Sequence, residues 1–413
     1  DLKRSHGSFL HDSRTGKEYL DFFTFFASLP IGFNHPELTT PEFIEKLGWA
    51  AVNKPSNSDL YTVEMAEFVE AFARIAGVDY LPHLFFVSGG GLAVENALKT
   101  AMDWKVRKNM AAGAGERGTK ILHFEEAFHG RTGYTLTVTN TADPRKYMYF
   151  DRFDWPRVLN PKAIFPLEGE NLAKVQEAEK ESIRQITEHI DRNGLDIAAI
   201  LVEPIQGEGG DNHFRKEFIQ ELWNITRKND ILLIFDEIQS GMGLTGKWWA
   251  HQHYDVKADI IAFGKKSQVC GIMASDRVLE VEKNVFQESS RLNSTWGGNL
   301  IDMIRAQKYV EIIEKEGLVQ NAAVMGSYLV EELEKIKDDS NGKISNVRGK
   351  GMMIAFDLEN GEKRNAAIDS IKQQGVLVLP CGYNSIRLRP PLNVSKEECN
   401  TALKAFRTAI DKI

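Results

Sequence analysis

Five short apolar runs, Leu84 to Val87, Ile121 to Phe124, Ala198 to Val202, Ile231 to Phe235 and Ile260 to Phe263, alternate with helix-period segments through the middle of the chain. That alternation predicts parallel strands joined by crossover helices, an α/β architecture. Each run ends where a glycine-rich or polar motif begins. Ligands of open parallel sheets bind beyond the carboxyl ends of the strands, so motifs far apart in sequence are expected to converge there.

Two of those strand ends carry a chemical pair. Asp236 closes the run Ile231 to Phe235, and Lys265 follows Ile260 to Phe263 after a single glycine. Their separation, 265 − 236 = 29 residues, fits one strand-helix-strand step and puts the two on neighbouring connections. An amine so placed can form a Schiff base with an aldehyde, and a carboxylate can keep a pyridine nitrogen protonated. That pairing is what pyridoxal phosphate chemistry requires. In isolation Asp236 serves equally well as a cap on the turn Ser240-Gly241, and a lysine in a strand-end turn is usually a surface residue. Lys266 stands beside Lys265, and only one of them need point inward.

The other strand ends add to the pair. Ser88-Gly89-Gly90-Gly91 lies between a strand and a helix expected over Leu92 to Lys108. Glycines let a phosphate approach the backbone, and the free amides of a helix start attract it, although a plain tight connection uses the same residues. The stretch lacks Gly-x-Gly-x-x-Gly and a P-loop lysine, which counts against nicotinamide and nucleotide cofactors. Phe128-His129-Gly130-Arg131 offers an aromatic face to a flat ring, with core packing as the alternative; His129, without a second ligand nearby, reads as a structural histidine. Glu203-Pro204-Ile205-Gln206-Gly207-Glu208-Gly209-Gly210 puts two carboxylates on a loop after a strand.

Outside the runs, Phe214 to Asn229 reads as a crossover helix and Val319 to Ile336 as an amphipathic one. A closing helix is expected from Ser395, whose Ser-x-x-Glu398 is a capping box. Phe9 to Phe26 resembles a β-hairpin about Arg14-Thr15-Gly16 and is expected to join the residues past 300 in a smaller α+β unit. A net charge of −7 with no basic stripe excludes general attraction to nucleic acid or anionic membranes. No apolar run approaches the ~18 residues of a membrane span. Cys270, Cys381 and Cys399 lack metal-ligand spacing, which argues against a disulfide framework or a bound metal. A cytoplasmic protein is the expectation.

The assembled motifs resemble the class III pyridoxal-phosphate aminotransferases of fold type I. The likeness rests on Ile234-Phe235-Asp236-Glu237, Gly241-Met242-Gly243-Leu244-Thr245-Gly246 and Asp259-Ile260-Ile261-x-x-Gly264-Lys265. It spans nearly the whole chain, from Leu20-Asp21 and Asn34-His35-Pro36 to Ile386-Arg387-Leu388-Arg389-Pro390-Pro391. One departure is Leu244, where many members carry arginine. The resemblance implies a large domain over residues 51–300, with a mostly parallel seven-stranded sheet flanked by helices. A smaller α+β domain is then built from residues 1–50 and 301–413.

Residue by residue, the resemblance selects Lys265 over Lys266 as the Schiff-base lysine and gives Asp236 the pyridine nitrogen. It assigns Gly90 and Gly91 to the phosphate, Phe128 to ring stacking and Gln239 to the phenolic oxygen. Thr295 goes to the phosphate of the partner subunit's cofactor, which implies a homodimer with active sites at the interface. Arg131 matches the arginine that holds the far carboxylate of an ω-amino donor, and Glu208 with Arg387 matches a substrate switch. Within the class the chain is most similar to members acting on the ε-amine of L-lysine, through Phe263 to Gly271, Arg291 to Asn299 and Gly89 to Ala97. Asn293 and Ser294 look like those members' cross-subunit substrate contacts. The expected partners are L-lysine, 2-oxoglutarate and L-glutamate, with 2-aminoadipate 6-semialdehyde as the other product. The alternatives are ornithine or 4-aminobutyrate as donor, or a non-catalytic dimer on the same fold.

Overall fold

The computed structural model describes all 413 residues. Seven strands form the central sheet: β1 (His83–Val87), β2 (Lys120–Phe124), β3 (Arg157–Val158), β4 (Ile197–Val202), β5 (Leu232–Asp236), β6 (Ile260–Phe263) and β7 (Cys270–Ala274). Their spatial order is β1-β7-β6-β5-β4-β2-β3. Only β7 runs antiparallel to its neighbours; the contacts β6/β5, β5/β4, β4/β2 and β2/β3 are parallel. The five sequence-predicted strands are all present, with ends shifted by a residue at most.

These strands read as unbroken apolar runs because both faces of the sheet are covered. Leu233, Phe235, Ile261 and Phe263 pack into one core with Phe68, Phe72 and the helix Lys216–Lys228. Leu232, Ile234, Ile260 and Ala262 pack into another with Val94, Ala97, Leu98 and Trp104 of helix α1 (Gly90–Ala111). Period-two alternation persists in direction, while hydrophobicity is uniform because neither side meets water.

A third core joins Leu20, Phe22 and Ile31 to residues between Tyr309 and Ile410. The hairpin Phe9–His11/Glu18–Asp21 is extended by Val376–Leu377, and an antiparallel four-stranded sheet is built from Ile344–Lys350, Met353–Leu358, Ser385–Leu388 and Leu379–Cys381. Leu244, the departure from the family pattern, is buried in this core. The amphipathic helix spans Leu318–Asp339, and the last helix, Lys396–Asp411, starts at Ser395 with the capping box formed in both directions.

Two expectations are corrected. The N-terminal hairpin stops at Asp21, because Thr24 to Ala27 all take positive φ, 42°, 49°, 61° and 63°, and form a left-handed turn. Asp21 accepts the amides of Phe23 and Thr24 and holds the chain as it enters that turn. The step from β5 to β6 is not strand-helix-strand: turns and the short 3-10 segment Ala250–His253 connect them. The strands are nevertheless parallel neighbours, with Asp236 opposite Ala262.

Candidate active site

Loops at the carboxyl ends of β1, β2, β4, β5 and β6 meet through direct contacts. Gly264 is extended at the exit of β6, and Lys265 follows at φ 52°, a conformation that costs a non-glycine residue about 1–2 kcal/mol. A side chain added at Gly264 would lie 2.8 Å from Cys270 Sγ and 3.0 Å from Ile238 Cδ1, so any larger residue would have to displace one of them. The turn sends the two lysines to different places. Lys266 is fully buried and donates to the carbonyl of Gln239. The side-chain amine of Lys265 has no hydrogen-bonding or ion-pair partner, and burial, aided by Arg387 and Arg389, pushes it down to about 8 despite Asp236 and Glu203.

Asp236 is fixed from two sides. Its Oδ1 accepts from the Ile238 amide at 3.0 Å, and its Oδ2 lies 2.8 Å from Nδ1 of the fully buried His129. His129 is therefore more than the structural histidine expected from sequence: it orients the carboxylate. Glu203 ties two loops together by accepting from the amides of Phe128 and Gly207, each at 3.0 Å. Burial pushes its carboxyl up, against the pull of His129.

Gly89, at φ 109°, turns the chain into α1, whose start carries no side-chain cap. The first-turn amides at Gly90 and Gly91 are left open to an anion. Ile238 packs against Gly90, 3.1 Å from where a Cβ would be. Gln239 Oε1 accepts from Arg389 Nη2 at 2.9 Å, which leaves its amide nitrogen as a donor. Gly207 passes so close that an added Cβ would lie 2.3 Å from that nitrogen. Arg389 is itself held by the buried Asp211. An unpaired, half-buried amine, a fixed carboxylate, an open helix start and a free amide donor match the aldehyde, ring nitrogen, phosphate and phenolic oxygen of pyridoxal phosphate.

Glu208 Oε2 lies 2.8 Å from Arg387 Nη2, and its other oxygen takes the ammonium of Lys146. Burial works against the ionised form of Glu208, but Arg387 and Lys146 hold its carboxyl below the usual range. Arg131 is exposed, its guanidinium 6.0 Å from the Phe128 ring centroid. The structure does not bring Asn293, Ser294 and Thr295 into hydrogen-bonding contact with Lys265 or Asp236. Asn293 and Ser294 line a depression of about 430 Å³ with Leu92, Thr132 and Tyr134, and Thr295 is exposed.

Sequence reasoning missed Lys146, Ile238 and Arg389 as parts of this cluster. Arg389 was accessible, since Arg387 and Arg389 are two apart at a strand end and share a face. Lys146 ends a short 3-10 turn after the helix Gly133–Val138, and nothing local points it at Glu208.

Residues 1–410 match the family described as aminotransferase class-III. The chain is similar to L-lysine-epsilon aminotransferase from Mycobacterium tuberculosis (strain ATCC 25618 / H37Rv), 51% identical over 412 residues that cover 99% of this chain and 91% of the relative. It is similar as well to L-lysine-epsilon aminotransferase from Amycolatopsis lactamdurans, 46% identical with 99% and 91% covered. The solved lysine aminotransferase from M. tuberculosis in the internal aldimine form superposes with a TM-score of 0.97 at 50% identity, over 100% of this chain and 94% of that one. Sequence, fold and the chemistry of the clustered side chains agree, and the chain belongs to the class III aminotransferases, enzymes that depend on pyridoxal phosphate.

Proposed function

We propose that the protein transfers the ε-amino group of L-lysine to 2-oxoglutarate, giving L-glutamate and 2-aminoadipate 6-semialdehyde, which cyclises to piperideine-6-carboxylate. Names of relatives 46–51% identical over 99% of the chain support this donor. The observation that carries the reading is the unpaired Lys265 amine beside Asp236, combined with a buried Arg387 masked by Glu208.

Pyridoxal phosphate, when bound, supplies an aldehyde that links to amines and a ring that accepts electrons from the adjacent carbon. Lys265 Nζ, with its proton affinity lowered to about 8, is suited both to hold that aldehyde and to take a proton from the substrate carbon and return it. Asp236, oriented by His129, would keep the ring nitrogen protonated. Gly90 and Gly91 would hold the phosphate at the open start of α1, Phe128 would offer its face to the ring and Gln239 Nε2 would be the donor for the phenolic oxygen.

The two substrates differ beside the reacting carbon: lysine presents only hydrogens there, whereas glutamate presents a second carboxylate. Arg131 takes the far carboxylate of each as a bidentate partner. Arg387, only 3% exposed, would be uncompensated against lysine at a cost of roughly 3–5 kcal/mol if Glu208 did not cover it. Turning Glu208 aside hands Arg387 to the second carboxylate of glutamate or 2-oxoglutarate.

The active unit in this reading is a homodimer, in which Asn293, Ser294 and Thr295 serve the partner subunit's site. Its support is apolar exposure beside them: Leu60, Tyr61 and Val63 are 70–80% exposed, and Asn57 donates to the carbonyl of Trp296 next to Thr295. Residues 1–50 and 301–413 act as one small domain against 51–300, a division supported by the core shared by Leu20, Phe22, Ile31 and the C-terminal residues. A cytoplasmic setting is supported by three free, buried cysteines, and no helix is long and apolar enough to cross a membrane.

The test is a mixture of protein, coenzyme, lysine and 2-oxoglutarate with o-aminobenzaldehyde, which colours with the cyclic imine. Colour and glutamate are expected in equal amounts; glutamate from ornithine or 4-aminobutyrate but not from lysine would reject the donor. Borohydride should fix the coenzyme on Lys265 in the peptide map.

A further inference from the structure

Glu208 is held by two cations, and only one of them belongs to the switch described above. Lys146 ends a short 3-10 turn, Pro144–Lys146, capped by Asp143. Its side chain is 13% exposed and runs across the Phe128 ring, with Nζ 5.6 Å from the centroid, to reach Glu208 Oε1. Arg387 holds the other oxygen. The backbone of Glu208 is pinned through its carbonyl, which accepts from the Gly382 amide at 3.0 Å. Movement of this carboxylate away from Arg387 is thus a side-chain rotation about a fixed backbone. An ammonium on a four-carbon stem, with three donors free to reorient, can follow such a rotation.

We propose that Lys146 is a positioning residue that keeps a counter-charge on Glu208 when Glu208 releases Arg387, and so sets how readily the site accepts a second carboxylate. While Glu208 covers Arg387, its charge is shared between two partners, which weakens its hold on each. On release it retains Lys146. Without Lys146 the carboxylate would bind Arg387 alone and more firmly, and the released state would have no protein partner. The inference rests on the switch reading, but it concerns the acceptor side and does not depend on lysine being the donor.

The discriminating acceptors are 2-oxoglutarate and succinic semialdehyde, which differ by the carboxylate next to the reacting carbon. In single turnovers of the amine-loaded holoenzyme, Lys146→Met should lower the ratio of the 2-oxoglutarate to the succinic semialdehyde rate constant by about tenfold, and Lys146→Arg should restore most of it. In calorimetry without turnover, the same variant should weaken glutarate by about tenfold relative to pentanoate. Added to Glu208→Ala, Lys146→Met should change neither ratio further. Equal losses on both acceptors would make Lys146 merely structural and overturn the proposal, and a loss that persists in the Glu208→Ala background would assign it to the substrate directly. Failure of lysine as donor would show separately, in the absence of colour with o-aminobenzaldehyde, and leaves the acceptor comparison decisive for Lys146.

Discussion

At Lys265 a left-handed backbone and a lowered proton affinity occur in one residue. Burial disfavours the ammonium, so the folded, coenzyme-free protein gives up this proton near pH 8 while the unfolded chain keeps it to about 10.5. Between those values the unfolded state binds more protons, so this group lowers stability below pH 8 and the penalty fades as pH rises through the window. Lys265→Met should therefore raise the melting temperature of the coenzyme-free protein at pH 7, by an amount that shrinks towards pH 10.5 in scanning calorimetry. Glu208→Ala acts at the same scale on substrate choice. It leaves Arg387 buried without its carboxylate, so the lysine half-reaction should slow more than the glutamate half in stopped-flow single turnovers. Equal losses would sink the switch.

Among the elements, the helix Lys396–Asp411 shows how local sequence and packing combine. Ser395 Oγ accepts from the Glu398 amide at 3.2 Å, and Glu398 Oε2 accepts from the Ser395 amide at 2.7 Å. Behind that cap, Cys399, Ala402, Leu403, Phe406 and Ile410 enter the core beside the N-terminal hairpin. Ser395→Ala should cost about 1 kcal/mol, read as a shift in the denaturant midpoint with little change in slope. The left-handed turn Thr24–Ala27 is the opposite case. Its four positive φ values defy local preference and are held from outside, by Asp21 on the amides and by Thr24 Oγ1 donating to the carbonyl of Arg389 at 2.8 Å.

For the whole molecule, the central expectation is a site shared between subunits. A Lys265→Ala protein and a Thr295→Ala protein should each be weak, yet subunits exchanged between them should regain activity. A mixed dimer has one site with an intact lysine and an intact threonine from the partner subunit. Activity no greater than the sum of the parents, with exchange verified by native mass spectrometry, would place Thr295 outside the partner subunit's site.

The strands of the sheet and the positions of Asp236 and Lys265 were legible because burial on both faces leaves continuous apolar runs, and because chemistry gathers where those runs stop. The capping box at Ser395 was legible for a similar reason: its partners are three residues apart, and the interaction is local. Glu208 and Arg387, 179 residues apart, were paired through family likeness, and the 2.8 Å contact needed the fold. His129 on Asp236 and Lys146 on Glu208 left no trace in local pattern; Arg389 shares a strand face with Arg387, but its contact with Gln239 needed the fold. Sequence alone determined which elements form and which residues stand at their ends, since propensity and hydrophobic period act over a few residues. Only the tertiary structure decided which lysine stays unpaired and which cations share one carboxylate, because desolvation and ion pairing depend on neighbours brought together from distant parts of the chain.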